Sequence, residues 1–212
     1  MKIYKLCFSF LLLAILMAGC SNAKNANENN FKAAAQAFLN LEYPYCYVTV
    51  DLPYRTDTLS FSDPSKVLHA LSTVGIVKET EVERKTIPAS WGSDERIEII
   101  YSYELTDEGA KYYKTDATQS IMGNDLAGLC FGKANVAKVV TFTEPTEFMG
   151  VKVSRVTYTY TVSDIPEWAK NAEVQEVIDQ LKEDVQSAKT PTERTDAFIL
   201  TDKGWIHERL MK

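Results

Sequence analysis

Residues Leu16-Met17-Ala18-Gly19-Cys20 close a short N-terminal apolar run, and that run decides which residues are left to fold. Lys2 and Lys5 give it a basic start, and Leu6-Cys7-Phe8-Ser9-Phe10-Leu11-Leu12-Leu13-Ala14-Ile15 an apolar middle. A permanent membrane helix needs about 20 apolar residues, so this stretch is too short to be one. A basic flank, a short apolar middle and small residues at the end are the marks of an export signal. The fold must then be built from residues 20–212, outside the cytosol.

The small residues leading into Cys20 resemble the lipobox of bacterial lipoprotein precursors. The resemblance implies a diacylglycerol on the Cys20 thiol, cleavage of the peptide bond before it, and acylation of the new amine. The other reading of Cys20 is a cysteine that happens to follow an ordinary secretory signal, or one that forms a disulfide. Ser21, and not Asp, follows the lipid site, which in Gram-negative members of the class points to the outer membrane with the body facing the periplasm. One acyl chain anchors marginally, at ~0.8 kcal/mol per buried methylene, whereas two or three anchor stably. Residues 21–30 (SNAKNANENN) are polar, rich in Asn and without apolar period. They read as a flexible tether reaching up to roughly 35 Å. No later segment has a long uncharged apolar run, so no second crossing is expected.

The chain carries 23 Lys and Arg against 29 Asp and Glu, a formal −6. Loss of Lys2 and Lys5 with the signal leaves 21 against 29, or −8. Phosphate backbones and anionic lipid are bound by clustered Lys and Arg, so an acidic body argues against nucleic acid as a partner. Of the four cysteines, Cys7 leaves with the signal and Cys20 carries lipid. Cys46 and Cys130 remain, and an even pair in an oxidising compartment reads first as a disulfide. A bridge across so long a loop stabilises by roughly 4–5 kcal/mol. Its rivals are a Cys₂His₂ zinc site with His69 and His207, or a free thiol with a histidine base. None of these four stands at a short metal-ligand spacing from another, so no metal is expected.

Phe31, Ala34, Ala35, Phe38 and Leu39 fall on one helical stripe after Asn30, predicting a helix over about Phe31–Leu41 that ends at Tyr43-Pro44. Residues 45–52 alternate as a strand. Asp63 at the N-cap, Pro64 at the first helical position, apolar Val67, Leu68, Leu71 and Val74, and Gly75 as terminator predict a second helix. Strands follow over Ile76–Ile87 and Glu95–Leu105, and Thr106-Asp107-Glu108-Gly109 reads as a capped helix start. Val139–Thr143, Val151–Val162 and Ala197–Leu200 read as strands. One long helix carries Val174, Val177, Ile178, Leu181 and Val185 towards Pro191. The order predicts an α+β fold, with antiparallel strand meanders packed on three to four helices. The domain plan is a signal peptide (1–19), the lipidated Cys20 with its flexible tether (20–30), and a single body (31–212), with 31–128 and 129–212 as candidate related halves.

Helix, glycine, strand, turn, strand and Leu-Thr-Asp-x-Gly, over about 63–113, resemble the helix and wing of winged-helix domains in topology. The segment departs from a DNA reader, because Asp63–Gly75 holds Lys66 and no Arg. The resemblance therefore implies no nucleic-acid function. A shift of 57 residues lays Tyr101, Tyr103 and Leu105 on Tyr158, Tyr160 and Val162, and Phe198–Gly204 repeats Tyr103–Gly109. A duplicated strand-to-helix unit and independent convergence on Thr-Asp caps both produce this pattern.

No Gly-rich phosphate loop, nucleophile elbow or metalloprotease helix motif occurs. His69 borders the apolar stripe of its helix and is expected partly buried and hydrogen-bonded; His207 is expected on the surface. Asp107-Glu108 reads as first-turn helix charge and not as a glycosidase pair. Tyr101 with Tyr103, and Tyr158 with Tyr160, share a strand face, either in the core or as a contact surface. Trp91 and Trp168 stand at predicted turns and are candidate exposed anchors for a partner. No catalytic residue, cofactor or metal is assigned. The expected function is that of a membrane-anchored envelope lipoprotein that binds another envelope protein without catalysis. The alternatives are an envelope ligand-binding module for glycan, lipid or a small molecule, and an enzyme with catalytic residues dispersed in sequence.

Overall fold

The computed structural model describes residues 23–58, 63–89, 92, 94–120 and 122–211; Cys20 and Trp91 lie outside them. The described residues form an α+β fold, as predicted, with four α-helices and eleven strands paired antiparallel in three sheets.

Helix α1 (Glu28–Glu42) starts earlier than its apolar stripe suggests. Asn27 and not Asn30 is the N-cap, its Oδ1 accepting from the Asn30 amide at 2.9 Å. Residues just before it, expected in the flexible tether, are fixed to the body instead. The Trp205 indole Nε1 donates to the carbonyls of Lys24 and Asn25, each at 3.2 Å. An Asn-rich segment has no apolar period to read, but its backbone carbonyls and its capping side chain both find partners. Residues 24–30 therefore belong with the body.

The buried stripe of α1 (Phe31, Ala34, Ala35, Phe38, Leu39) covers one face of the largest sheet. That sheet contains β7 (Lys133–Phe142), β9 (Val151–Ser163), β10 (Thr192–Thr201) and β11 (Gly204–His207) in the order β11-β10-β9-β7, and β8 (Thr146–Phe148) pairs with the start of β9. Alternation aims Val156, Tyr158, Tyr160 and Val162 of β9 at the helix, so this tyrosine pair is core and not an open contact face.

A second core forms where α2 (Ser65–Thr73), α3 (Ala172–Val177) and α4 (Asp179–Ser187) meet two three-stranded sheets. One sheet has the order β2 (Tyr54–Arg55), β4 (Arg96–Leu105), β3 (Val77–Ile87); the other has β1 (Tyr45–Thr49), β6 (Asp125–Phe131), β5 (Tyr113–Gln119). Helix α2 ends where its sequence says. The amide of Gly75 (φ +74°) donates to the Ser72 carbonyl and that of Ile76 to Leu71, with Leu71 and Ile76 both buried.

Three expectations change. The long C-terminal helix breaks at Ile178 (φ −130°, ψ 87°), which turns Val174, Ile178 and Leu181 together into the second core. The helix expected after Thr106 is a single 3₁₀ turn at Gly109–Lys111. A Cβ on Gly109 would lie 2.1 Å from the Ile76 carbonyl oxygen, so the turn is pressed against β3, and the β-branched and tyrosine-rich residues beyond it form β5. The boundary between the candidate halves, 128/129, falls inside β6, and Thr201–Gly204 leads into a hairpin strand and not a helix.

Cys46 of β1 stands opposite Cys130 of β6, their Cα atoms 3.9 Å apart, and the two form a disulfide across a sequence separation of 84. The zinc and free-thiol readings of this pair therefore fall. Replacing both cysteines with Ser is expected to lower the unfolding free energy by about 4 kcal/mol, from loop entropy regained by the unfolded chain. Urea unfolding measures it, and a midpoint equal to the parent's would overturn the expectation.

Candidate functional site

Two clusters of buried polar groups lie around α1, β9, β10 and α4. In the first, Asp196 Oδ2 accepts from the Tyr158 hydroxyl at 2.7 Å and pairs with Arg194 Nε at 2.8 Å. Arg194 also donates to Glu42 Oε2 at 2.8 Å, and its guanidinium lies 5.0 Å from the Phe38 ring centroid. Phe38 stacks on His207 with centroids 3.5 Å apart. His207, expected at the surface, is fully buried. It lies two residues after Trp205 on β11, so both side chains point at α1, a strand period that is readable once β11 is known. Its Nδ1 accepts from the Arg209 amide at 3.1 Å, and its Nε2 lies 3.2 Å from Asp196 Oδ2 at an angle too poor for a hydrogen bond. Burial opposes the charge on Asp196, but Tyr158, Arg194 and His207 outweigh it and hold its carboxyl below the usual range.

In the second cluster, Asp184 of α4 is buried, and its Oδ2 accepts from the Tyr47 hydroxyl at 2.8 Å. Its Oδ1 meets no well-placed donor among the described residues. Here burial wins over the favourable contacts with Tyr47, Tyr43 and Gln180, and the carboxyl is pushed up. Burial first, and then the Asp184 charge, raise the phenols of Tyr43 and Tyr47 in turn. The first cluster joins α1 to β9, β10 and β11, and the second joins β1 to α4, each through partners inside the fold; this is the geometry of a brace.

The other singled-out residues scatter. His69 is hydrogen-bonded as expected, its Nδ1 2.8 Å from Glu79 Oε2, but it is exposed and not partly buried. Glu79 Oε2 also accepts from the buried Tyr103 hydroxyl at 2.8 Å. Glu108 pairs with Lys111 at the 3₁₀ turn, which suits its reading as local charge. Trp168, expected as an exposed anchor, is only 7% exposed. The 3₁₀ turn Glu167–Lys170 tucks it into the second core, edge-on to Phe131 at 5.0 Å and Tyr112 at 5.7 Å. Trp168 is therefore withdrawn as an anchor.

Two exposed apolar features give no sign of themselves in the sequence. On the β3–β4 ribbon, Ile97 is 60% and Val82 45% exposed; at the β8–β9 turn, Phe148 is 64% and Met149 88% exposed. Both lie where strand alternation gives no warning, because alternation separates two faces without saying which is covered. A depression of about 280 Å³ is lined by Leu52, Pro53, Glu104, Leu105 and Tyr113. Among the described residues no group of three or more His, Cys, Asp and Glu is placed to hold a metal ion, and no helix is long and apolar enough to cross a membrane. No protein-family model, curated protein or solved structure matches the chain.

Buried Asp184 and partly buried Asp196 predict opposite pH responses. Asp196 has a depressed folded pKa, so its contribution is present above the unfolded value near pH 3.9 and is lost as pH falls through the folded one. Asp196→Asn is expected to cost about 3 kcal/mol at pH 7 by removing one of the two carboxylates that Arg194 pairs with, and less as pH approaches 3. Asp184 has a raised folded pKa, so its penalty is absent below the unfolded value and grows as pH rises through the folded one. The stability of Asp184→Asn relative to the parent should therefore rise between pH 4 and 7. Urea unfolding across that range checks both, and parallel pH profiles for the two variants would contradict the assignment.

Proposed function

We propose that the chain is a lipid-anchored protein of the bacterial envelope, held at the outer membrane with its body in the periplasm, that works by contact with another envelope protein. Leu16–Cys20 and Ser21 support the anchor and its membrane, and the Cys46–Cys130 bridge suits an oxidising compartment. The observation that carries the contact reading is the β3–β4 ribbon. Glu81–Thr86 and Arg96–Glu98 are exposed throughout, so both faces of the ribbon meet solvent there. Along β4, Ile97, Ile99, Tyr101 and Tyr103 share one face, running from buried Tyr103 out to exposed Ile97.

A bare two-stranded ribbon gains little stability from its own contacts, so an apolar row on its open end suits a second surface. The ion pairs Arg84–Glu81 and Lys85–Glu83 give that row a charged rim. They also protect the β3 edge against indiscriminate strand pairing. Trp91 belongs to the segment joining β3 to β4 and is the aromatic anchor of this reading. A second reading, binding of a small apolar ligand, has the depression beside Leu105 and Tyr113 in its favour; its volume is at the low end for ligand sites.

Affinity capture of the intact lipoprotein from envelope extracts tests the proposal. Trp91→Ala is expected to weaken the captured contact by about 2 kcal/mol or more, as at interface hot spots. Ile97→Asp should weaken it while leaving stability within about 0.5 kcal/mol of the parent. Capture unaffected by either change, or turnover of an envelope substrate, would sink the contact reading.

A further inference from the structure

We infer that the β8–β9 turn dips Phe148 and Met149 into the lipid interface beside the anchor, so that the body is held against the bilayer at two points. The inference rests on the lipid-anchor reading above.

Phe148 pairs with Val151, leaving Met149-Gly150 as a two-residue loop with φ of +50° and +81°. Such a turn favours Asn, Asp or Gly at its first position, where the backbone is left-handed. Met is a poor choice there on conformational grounds. It is also 88% exposed, so core packing does not account for it, and Phe148 beside it is 64% exposed. Two large apolar side chains thus occupy a tip where neither turn geometry nor the fold's interior asks for them.

The position of the tip names its occupant. Lys152 at the start of β9 pairs with Leu200 at the end of β10, so the β10–β11 turn abuts the β8–β9 turn at the same end of the sheet. Thr201 pairs with Gly204 across that turn, two strand spacings or roughly 10 Å from the Val151 row. Gly204, at φ +123°, is where the N-terminal segment arrives: a Cβ there would lie 2.9 Å from the Ala23 carbonyl oxygen. From Ala23 to Cys20 the chain spans three residues, at most roughly 11 Å. A lipid on Cys20 therefore enters the bilayer at the end of the sheet that carries Phe148 and Met149. Around the tip, Glu147 and Asp202 balance Lys152 and Lys203, so the attraction is apolar burial in the interface and not charge pairing with anionic headgroups.

The test uses the full lipidated chain with Met149→Cys, labelled with nitrobenzoxadiazole and reconstituted into vesicles of phosphatidylcholine and phosphatidylglycerol. Cys46 and Cys130 are bridged and Cys20 is acylated, which leaves the new thiol as the labelling site. Glu193→Cys, an exposed position on β10 well away from the turn, is the control. The expected result is a severalfold rise and blue shift of emission at 149, quenched by spin labels in the acyl chains, insensitive to high salt, reduced by Phe148→Ser and absent at 193. A label at 149 that stays solvent-like while the control protein floats with the vesicles overturns the tip and leaves the anchor standing. A change that needs added envelope proteins overturns it in favour of a protein pocket. Failure of the control protein to float overturns the anchor and the tip together.

Discussion

Arg194 reaches from β10 to Glu42 at the end of α1, and this partly buried pairing, extended through Asp196 to Tyr158 and His207, fixes how helix and sheet meet. An apolar stripe on a helix can slide or rotate over an apolar sheet face at small cost. A desolvated charge cannot, because losing its partner leaves an uncompensated ion. With α1 locked, Trp205 faces the carbonyls of Lys24 and Asn25, and the N-terminal segment is drawn onto β11. The Tyr47–Asp184 contact then ties β1 to α4 beside the second core. The disulfide holds β1 on β6 by a covalent route within the sheet that borders the second core.

The parts of the fold legible in the sequence are those whose signals are local. Gly75 and the stripe of α2 lie within one element, and the end of the helix follows from them; its start falls one residue later than the sequence suggests, with Pro64 at the N-cap and Asp63 Oδ1 accepting from the Ser65 amide at 2.9 Å. The disulfide is legible by elimination, since the expected signal and lipid site would take Cys7 and Cys20 and leave Cys46 and Cys130. The hidden parts depend on distant partners. Lys24 and Asn25 are held by a tryptophan far along the chain, and the turn at Gly109 is pressed against the Ile76 carbonyl just before β3. Trp168 and His207 stand near turns, which suggests the surface, yet each is held in a core by aromatic rings from other elements. Of the candidate contact surface, Trp91 stands out in the sequence; the ribbon face with Ile97 does not, because exposure at both faces is a property of what fails to pack on it.

The short link between Ala23 and Cys20 changes what an anchored body can do. A long tether leaves a domain free to tumble and search, with a low effective concentration at any one membrane site. A link of three residues does not. On the anchor reading the body's orientation is restricted by covalent geometry before any second contact forms, and an apolar turn at the same end needs little further ordering to reach the interface.

The distribution of side chains runs against the usual preference in both directions. Asp184 and His207 are inside and Asp196 partly so, where burial penalises charge, and Phe148, Met149 and Ile97 are outside, where water penalises apolar surface. The inside groups have partners within the fold: Tyr47 for Asp184, and Tyr158, Arg194 and Arg209 for the other two. The outside groups touch no core that would explain them, and they sit at a turn and on an open ribbon, where a substitution to polar residues would cost the fold little. Retaining them there is intelligible if each meets a surface that the isolated chain does not contain. For the turn, the proposed lipid on Cys20 would make that surface the bilayer; for the ribbon, with its charged rim and a tryptophan in its connecting segment, the proposed contact would make it another protein.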